Sequence, residues 1–524
     1  MTDLLIKLPM IIIFFGTTIF IGLYCRKHST NVNSFVLGGR SVGPWLTAFA
    51  YGTSYFSAVV FVGYAGQFGW KYGIAATWIG IGNAIIGSLM AGSILGRRTR
   101  IMTQSLDSAT MPQFFEKRYD SRALKLASSA IIFLFLIPYT ASLYNGLSRL
   151  FGMAFQIDYG VCIGIMAVLT AVYVVLGGYM ATAINDFIQG IVMIVSIIAV
   201  IAAVLKGHGG FMEALNQLGQ VSDPAVSNTP GVFASFFGPD PVNLLGVVVL
   251  TSLGTWGLPQ MVQKFYAIKS EQAINKGMRI STIFAIVVAG GCYFLGGFGR
   301  LYSGNIDIAA NGYDSIIPTM LSGLSPFLIS VVVVMVLAAS MSTLSSLVLA
   351  SSSTLTLDFI KGTLVKNMSE KKQLLVMRLL IVVFILISVV LALVQYNSNV
   401  TFIAQLMGIS WGALAGAFLA PFLYGLYWKG TTKAAVWVSF LFSTVVMLAN
   451  VTVKSLFPPI LQSPINAGAF CMFAGLILIP VVSIFTKHLP KPFTDSVFAC
   501  YNRNVTVPVT DSIGSATDAA SKEE

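Results

Sequence analysis

Val336-Leu337-Ala338-Ala339-Ser340-Met341-Ser342-Thr343-Leu344-Ser345-Ser346 sets small hydroxyl residues inside one of the most apolar parts of the chain, close behind Phe327-Leu328-Ile329-Ser330-Val331-Val332-Val333-Val334. On a helix, Ala339, Ser342, Thr343 and Ser346 fall at i, i+3, i+4 and i+7, a single face. A ladder of oxygens at membrane depth, with no charge beside it, suits a dehydrated hard cation, which takes oxygen ligands. Ser, Ala and Thr are also the usual residues of close helix contacts in bilayers. Taken alone, the segment leaves both readings open.

Of 524 residues, 56% are apolar and 10% are charged. Soluble domains carry about 25% charge, so the chain reads as an all-α, multi-pass membrane protein. About thirteen apolar stretches are long enough to cross a roughly 30 Å hydrocarbon core. They lie near 4–24, 44–70, 74–96, 126–152, 157–177, 179–205, 241–263, 280–300, 325–357, 375–395, 400–427, 434–453 and 467–486. With the N-terminus outside, this odd number puts the C-terminus in the cytoplasm. The inner side then holds 25 of the 31 Lys and Arg, among them Arg40, the cluster Arg97, Arg98 and Arg100, and Lys264. That follows the positive-inside rule. The net charge of +12 therefore reflects topology and anionic lipid, with no call for nucleic acid. Residues 1–490 read as a single transmembrane domain in the cell (plasma) membrane, expected to act as a monomer, and 491–524 as a flexible cytoplasmic tail. Leu4–Tyr24 lacks a cleavage site of the A-x-A kind and reads as a retained helix. Five cysteines without a close pair and three histidines at helix ends or in loops offer little for a zinc site or a hydrolytic triad.

Two crossings carry breaks. One reads Ala50-Tyr51-Gly52-Thr53-Ser54-Tyr55-Phe56-Ser57-Ala58, and the other Thr251-Ser252-Leu253-Gly254-Thr255-Trp256-Gly257-Leu258-Pro259-Gln260. Unwound carbonyls at such breaks coordinate ions in transporters. The breaks open spans 2 and 7, five spans apart, which fits five-plus-five inverted repeats at about 44–205 and 241–427. Helices at 4–24, 434–453 and 467–486 lie outside the repeats. The halves share no direct residue similarity, so spacing alone carries the repeat. Asp186 is the one carboxylate well within a span, roughly 10 Å from its start by the helical rise. An intramembrane acid is functional by default, with a pairing to an inner-loop Arg as the alternative. Arg149 and Arg300 stand at outer helix ends and are expected to snorkel toward headgroups.

With these features the chain resembles the sodium:solute symporter family, which includes sodium/proline, sodium/pantothenate, sodium/sialic acid and sodium/glucose cotransporters. The likeness covers about residues 5–485. It rests on Phe35-Val36-Leu37-Gly38-Gly39-Arg40-Ser41, on the first break, and on Gly177-Gly178-Tyr179 leading to Asn185-Asp186-Phe187-Ile188-Gln189-Gly190. Met341-Ser342-Thr343-Leu344-Ser345-Ser346 and Trp411-Gly412-Ala413-Leu414-Ala415-Gly416 add to it.

The resemblance implies a LeuT-type fold and Na+ as coupling ion. Its main sodium site would use the carbonyls of Thr53, Phe56 and Ala339 and the hydroxyls of Ser342 and Thr343. Members similar to the sialic acid carriers add a second sodium, for which Asp186, Ser342, Ser345 and Ser346 match. Positions facing the family's solute pocket would be Ser54, Tyr55, Ser57, Asn83, Tyr139, Thr255, Trp256 and Gln405. The chain departs from the proline carriers, which have Asp where Tyr55 stands, and from the sialic acid carriers, since Ile137-Pro138-Tyr139-Thr140-Ala141 brings no Arg to span 4. The implied activity is sodium-coupled import of a small organic solute by alternating access: an amino acid such as proline, or another small neutral or carboxylate solute. A sugar or sialic acid symporter is the alternative. A sensory receptor built on the same domain is the competing class, and an enzyme is not expected.

Overall fold

The computed structural model describes residues 2–26, 31–155, 158–308, 312–361, 363–365, 367–398, 403–502, 509–512 and 515–517. The membrane part is helical throughout; the described strands are a short antiparallel ribbon in the tail, Val509–Ser512 with Ser515–Thr517. Ten of the described helices are long and apolar enough to cross a membrane, or eleven when the bent pair Pro241–Trp256 and Pro259–Ala267 is taken as one. About thirteen were expected. The difference arises where Val59–Ser105 continues as one helical segment and where Tyr159–Val172 is a shorter apolar helix. Both places carry a glycine with a backbone that side-chain-bearing residues avoid. Gly73 has φ 63°, ψ −142° and Gly178 has φ 58°, ψ −154°.

The helix Pro326–Thr354 runs through the middle of the bundle. Ser325 caps its first turn and Pro326 takes the first helical position, where a missing N–H costs nothing. Every residue from Val332 to Thr354 is buried, as befits a helix without a polar outer face. It packs against the helices Thr2–Arg26, Pro44–Tyr55, Arg122–Phe155, Tyr159–Gly207 and Pro259–Ala267. Small residues allow other helices to meet backbone to backbone. A Cβ at Gly69 would lie 2.0 Å from the Gly296 carbonyl oxygen, and one at Gly296 would lie 2.1 Å from that of Ala65.

The Phe35–Ser41 motif now has a mechanical meaning. Gly38 and Gly39 have φ of 58° and 68°, and Arg40 follows in the same left-handed region. That turn aims the Arg40 guanidinium at the carbonyls of Ser108 (2.6 Å) and Tyr266 (3.3 Å). Val42 exchanges backbone hydrogen bonds with Ala267 and Lys269, both 3.1 Å. The ends of both broken spans, Pro44 onward and Pro259–Ala267, are therefore pinned to each other.

Two expectations are corrected here. Arg300 does not snorkel: it is buried, pairs with Asp223 at 2.8 Å, and is packed against the rings of Phe233 and Trp70. It thereby ties down the segment between Gln220 and Pro241, and its hydrogen bond holds the Asp223 carboxyl below the usual carboxylate range. The tail, expected to be flexible from residue 491, begins instead with the helix Lys491–Phe498 and a turn Ala499–Asn502. Phe498 lies under Arg118, Tyr501 under Arg98, and the Tyr501 hydroxyl donates to the Leu426 carbonyl at 2.9 Å. Cation–π contacts and an aromatic anchor supply what its polar composition hid.

Candidate functional site

The first break is built by the chain leaving the helix Pro44–Tyr55 at Phe56, which is extended at φ −87°, ψ 120°. The last carbonyls of a helix have no intrahelical partner, and here they point at the hydroxyl face of Pro326–Thr354. Ser342 Oγ lies 3.1 Å from the Thr53 carbonyl oxygen and 3.0 Å from that of Ala339. Thr343 Oγ1 lies 3.2 Å from Thr53, 3.2 Å from Phe56 and 3.1 Å from Ala339. All five residues are buried. The two hydroxyls own one proton each, while the three carbonyls offer two lone pairs apiece. The cluster is therefore rich in acceptors and poor in protons. Rotating a hydroxyl swings its hydrogen away and leaves its oxygen lone pairs facing the carbonyl oxygens, so the cluster has the neutral oxygen donors that a hard monovalent cation takes.

The four residues matched to a second sodium are placed differently. Ser342 faces the first cluster. Ser345 Oγ donates to the Ser342 carbonyl at 2.8 Å. Ser346 Oγ is 2.9 Å from Ser54 Oγ and accepts from Lys264 Nζ at 3.1 Å. Asp186 is fully buried, with Lys264 Nζ 3.9 Å from Oδ2. Lys264 was counted with the inner loops, yet it is buried within the bundle and stands where an inner-loop Arg was the expected alternative partner.

The solute residues fall into two groups. Ser57 and Tyr139 are buried, and Tyr139 meets Trp411, a residue of the Trp411–Gly416 motif that lies outside the expected pocket set. Tyr139 and Trp411 rings are 5.9 Å apart at 88°. Ser57 and Trp411 are the polar neighbours of the Tyr139 hydroxyl, yet Ser57 Oγ, Tyr139 Oη and Trp411 Nε1 all lack a hydrogen bond of good geometry. Three buried polar atoms thus face one another in one corner without well-formed hydrogen bonds, an arrangement that is costly unless a further partner is present. Trp411 also faces the second break, where a Cβ on Gly254 would lie 3.6 Å from its ring.

The other group holds that break in shape. Asn83 is 3.1 Å from Ser252 Oγ, Thr255 Oγ1 donates to the carbonyls of Gly87 and Ser252, and Trp256 Nε1 donates to Ile86. Ser54 donates to Ala50 and reaches Ser346. Gln405 is half-buried on the helix Ile403–Tyr427. The Tyr55 side chain lies outside the described residues. Toward the Arg300 end, a cavity of about 540 Å³ is lined by Trp70, Tyr72, Asp240, Arg300 and Tyr313 among others.

The profile of the sodium:solute symporter family matches residues 35–441. The osmoregulated proline transporter OpuE of Bacillus subtilis is 28% identical over 483 residues, covering 91% of this chain and 94% of the relative. A sodium/proline symporter of Staphylococcus aureus is 31% identical over 436 residues, covering 81% and 82%. A solved structure of a Na+-coupled sialic acid symporter, substrate-bound and outward-open, superposes with a TM-score of 0.71 at 16% identity. It covers 93% of this chain and 99% of the other. That likeness is one of fold.

Proposed function

This chain belongs to the sodium:solute symporter family, and we propose that it imports proline, or a closely related small zwitterion, with sodium. It is a multi-pass transporter of the cell membrane, not an enzyme, and Na+ is its coupling ion. The observation that carries the mechanism is the convergence of five neutral oxygens at the first break. We assign the sodium ligands as the carbonyls of Thr53, Phe56 and Ala339 and the hydroxyls of Ser342 and Thr343. A site without a carboxylate binds its ion weakly enough to release it into a sodium-poor cytoplasm. Because two ligands come from the broken helix and three from Pro326–Thr354, the ion joins two elements that must separate for release. Ion occupancy thereby biases the bundle toward one of its conformations.

For the solute we propose the corner formed by Ser57, Tyr139 and Trp411, supported by their unpartnered polar atoms and by the named activities of the proline-carrying relatives. The corner is aromatic and uncharged, which suits a small ring; sodium supplies the positive charge a carboxylate needs. Dividing the helical segments at Gly73 and Gly178 supports thirteen crossings in two five-span repeats, with the N-terminus outside and the C-terminus inside. Energetically, about 100 mV contributes about 2.3 kcal/mol per ion and a tenfold gradient about 1.4 kcal/mol. One ion then sustains about 500-fold accumulation.

The test is uptake of radiolabelled proline into sealed vesicles holding the purified chain. An inward sodium gradient is expected to drive accumulation above equilibrium, and a sodium ionophore to abolish it. Uptake indifferent to sodium would overturn coupling. Sodium-driven uptake of a sugar or sialic acid in place of proline would overturn the solute.

A further inference from the structure

Lys264 and Asp186 form a buried ion pair between the helices Pro259–Ala267 and Tyr159–Gly207. An ammonium at this depth is costly and must be held by something. It donates to Ser346 Oγ at 3.1 Å, lies 5.1 Å from the centre of the Tyr179 ring, and is 3.9 Å from Asp186 Oδ2. The last distance is a Coulombic contact, too long for a hydrogen bond, and both carboxylate oxygens of Asp186 lack a hydrogen-bond partner. One turn along each helix, Gln189 and Gln260 are also buried with both amide atoms unpartnered. Four buried polar side chains thus occupy adjacent turns of the two helices, one of them a carboxylate and one an ammonium.

Asp186 and Ser346 belong to the set that the family likeness matched to a second sodium, and the hydroxyls of that set are already committed within the bundle. Ser342 faces the first cluster, Ser345 bonds its own helix, and Ser346 holds the ammonium. We propose that the Lys264 ammonium is a tethered cation standing in for a second sodium ion, so that the chain moves a single sodium per solute. A sodium ion touching both Asp186 and Ser346 would lie within about 5.5 Å of Nζ, since Ser346 Oγ is itself 3.1 Å from Nζ. Two like charges no farther apart than that in a protein-like dielectric weaken binding by at least roughly a hundredfold. The tethered charge has a second consequence. Ser346 passes its contact on to Ser54 at 2.9 Å, and Ser54 neighbours the sodium ligand Thr53. Lys264 therefore braces the broken helix through Ser346 and Ser54, and it cannot leave with the transported ion.

This inference rests on the sodium-coupled reading above. Its test is equilibrium binding of radioactive sodium to the detergent-purified full chain, compared among the wild type, Lys264→Met, Asp186→Asn and the double variant. One ion is expected for the wild type and for Asp186→Asn. Lys264→Met keeps the length of the side chain and strips Asp186 of its counter-ion, so a second bound sodium is expected there and its loss in the double variant. Two ions on the wild type, one ion lost in Asp186→Asn, or a Lys264→Met chain that folds and still binds one ion would each overturn the proposal. Where Lys264→Met does not fold, the wild type and the charge-keeping Lys264→Arg decide: one ion on each supports it, and two on either overturns it. A chain that binds no sodium at all would instead strike the symporter reading.

Discussion

Tyr139 carries a phenol hydroxyl with no hydrogen bond of good geometry in a buried corner beside Ser57 and Trp411. A solute that accepts or donates there gains what the apo corner lacks. Tyr139→Phe removes the hydroxyl and keeps the ring against Trp411. One neutral hydrogen bond is worth about 1 kcal/mol, so the KM for solute is expected to rise about fivefold while half-saturating sodium stays put. An unchanged solute KM in transport assays would take Tyr139 out of the pocket. Trp411 and Lys264 show why such residues were hard to read. Trp411 lies in an apolar, glycine-rich run where a tryptophan is ordinary core. Lys264 stands near the end of an apolar stretch, where a lysine usually reaches for headgroups; only the fold turns it inward to Asp186.

At the level of elements, the hydroxyl ladder and the first break were legible because each violates its surroundings: oxygens in a greasy helix, and a glycine with polar residues mid-span. Their meeting was not legible from spacing, since Thr53 and Thr343 are joined only through tertiary packing. Asn83, Thr255 and Trp256 came to the expected pocket through the resemblance, and in the fold they hold the second break, where polar groups are needed because backbone carbonyls are loose. Glycine contacts make a separate claim testable. Gly69→Ala would drive a methyl into the Gly296 carbonyl, and overpacking of that kind costs about 1–3 kcal/mol. The unfolding temperature of the purified chain is expected to fall for Gly69→Ala. Gly16→Ala, with open space around its Cβ, should leave it unchanged.

For the whole molecule, composition alone fixed the membrane class, and charge asymmetry proposed an orientation. What composition concealed were cations turned to structural use. Arg40 ties the two broken spans together, Arg300 clamps Asp223, and Arg98 and Arg118 receive the aromatic side chains of the tail. In a sequence the first, third and fourth count as inner-side topogenic charges and Arg300 as a snorkelling one, yet each is satisfied by carbonyls, a carboxylate or rings that lie far away along the chain. Coupling is the property of the assembled bundle, because the ligands proposed for the ion belong to two helices that no local segment brings together. The decisive measurement is the sodium dependence of solute uptake in Ser342→Ala/Thr343→Ala, set beside Ser340→Ala on the same helix. The double variant is expected to need at least about tenfold more sodium for half-maximal uptake, the loss of two weak oxygen ligands at roughly 0.7 kcal/mol or more each, while Ser340→Ala behaves as wild type. Unaltered sodium dependence in the double variant would contradict a sodium ion held between Thr53 and Thr343.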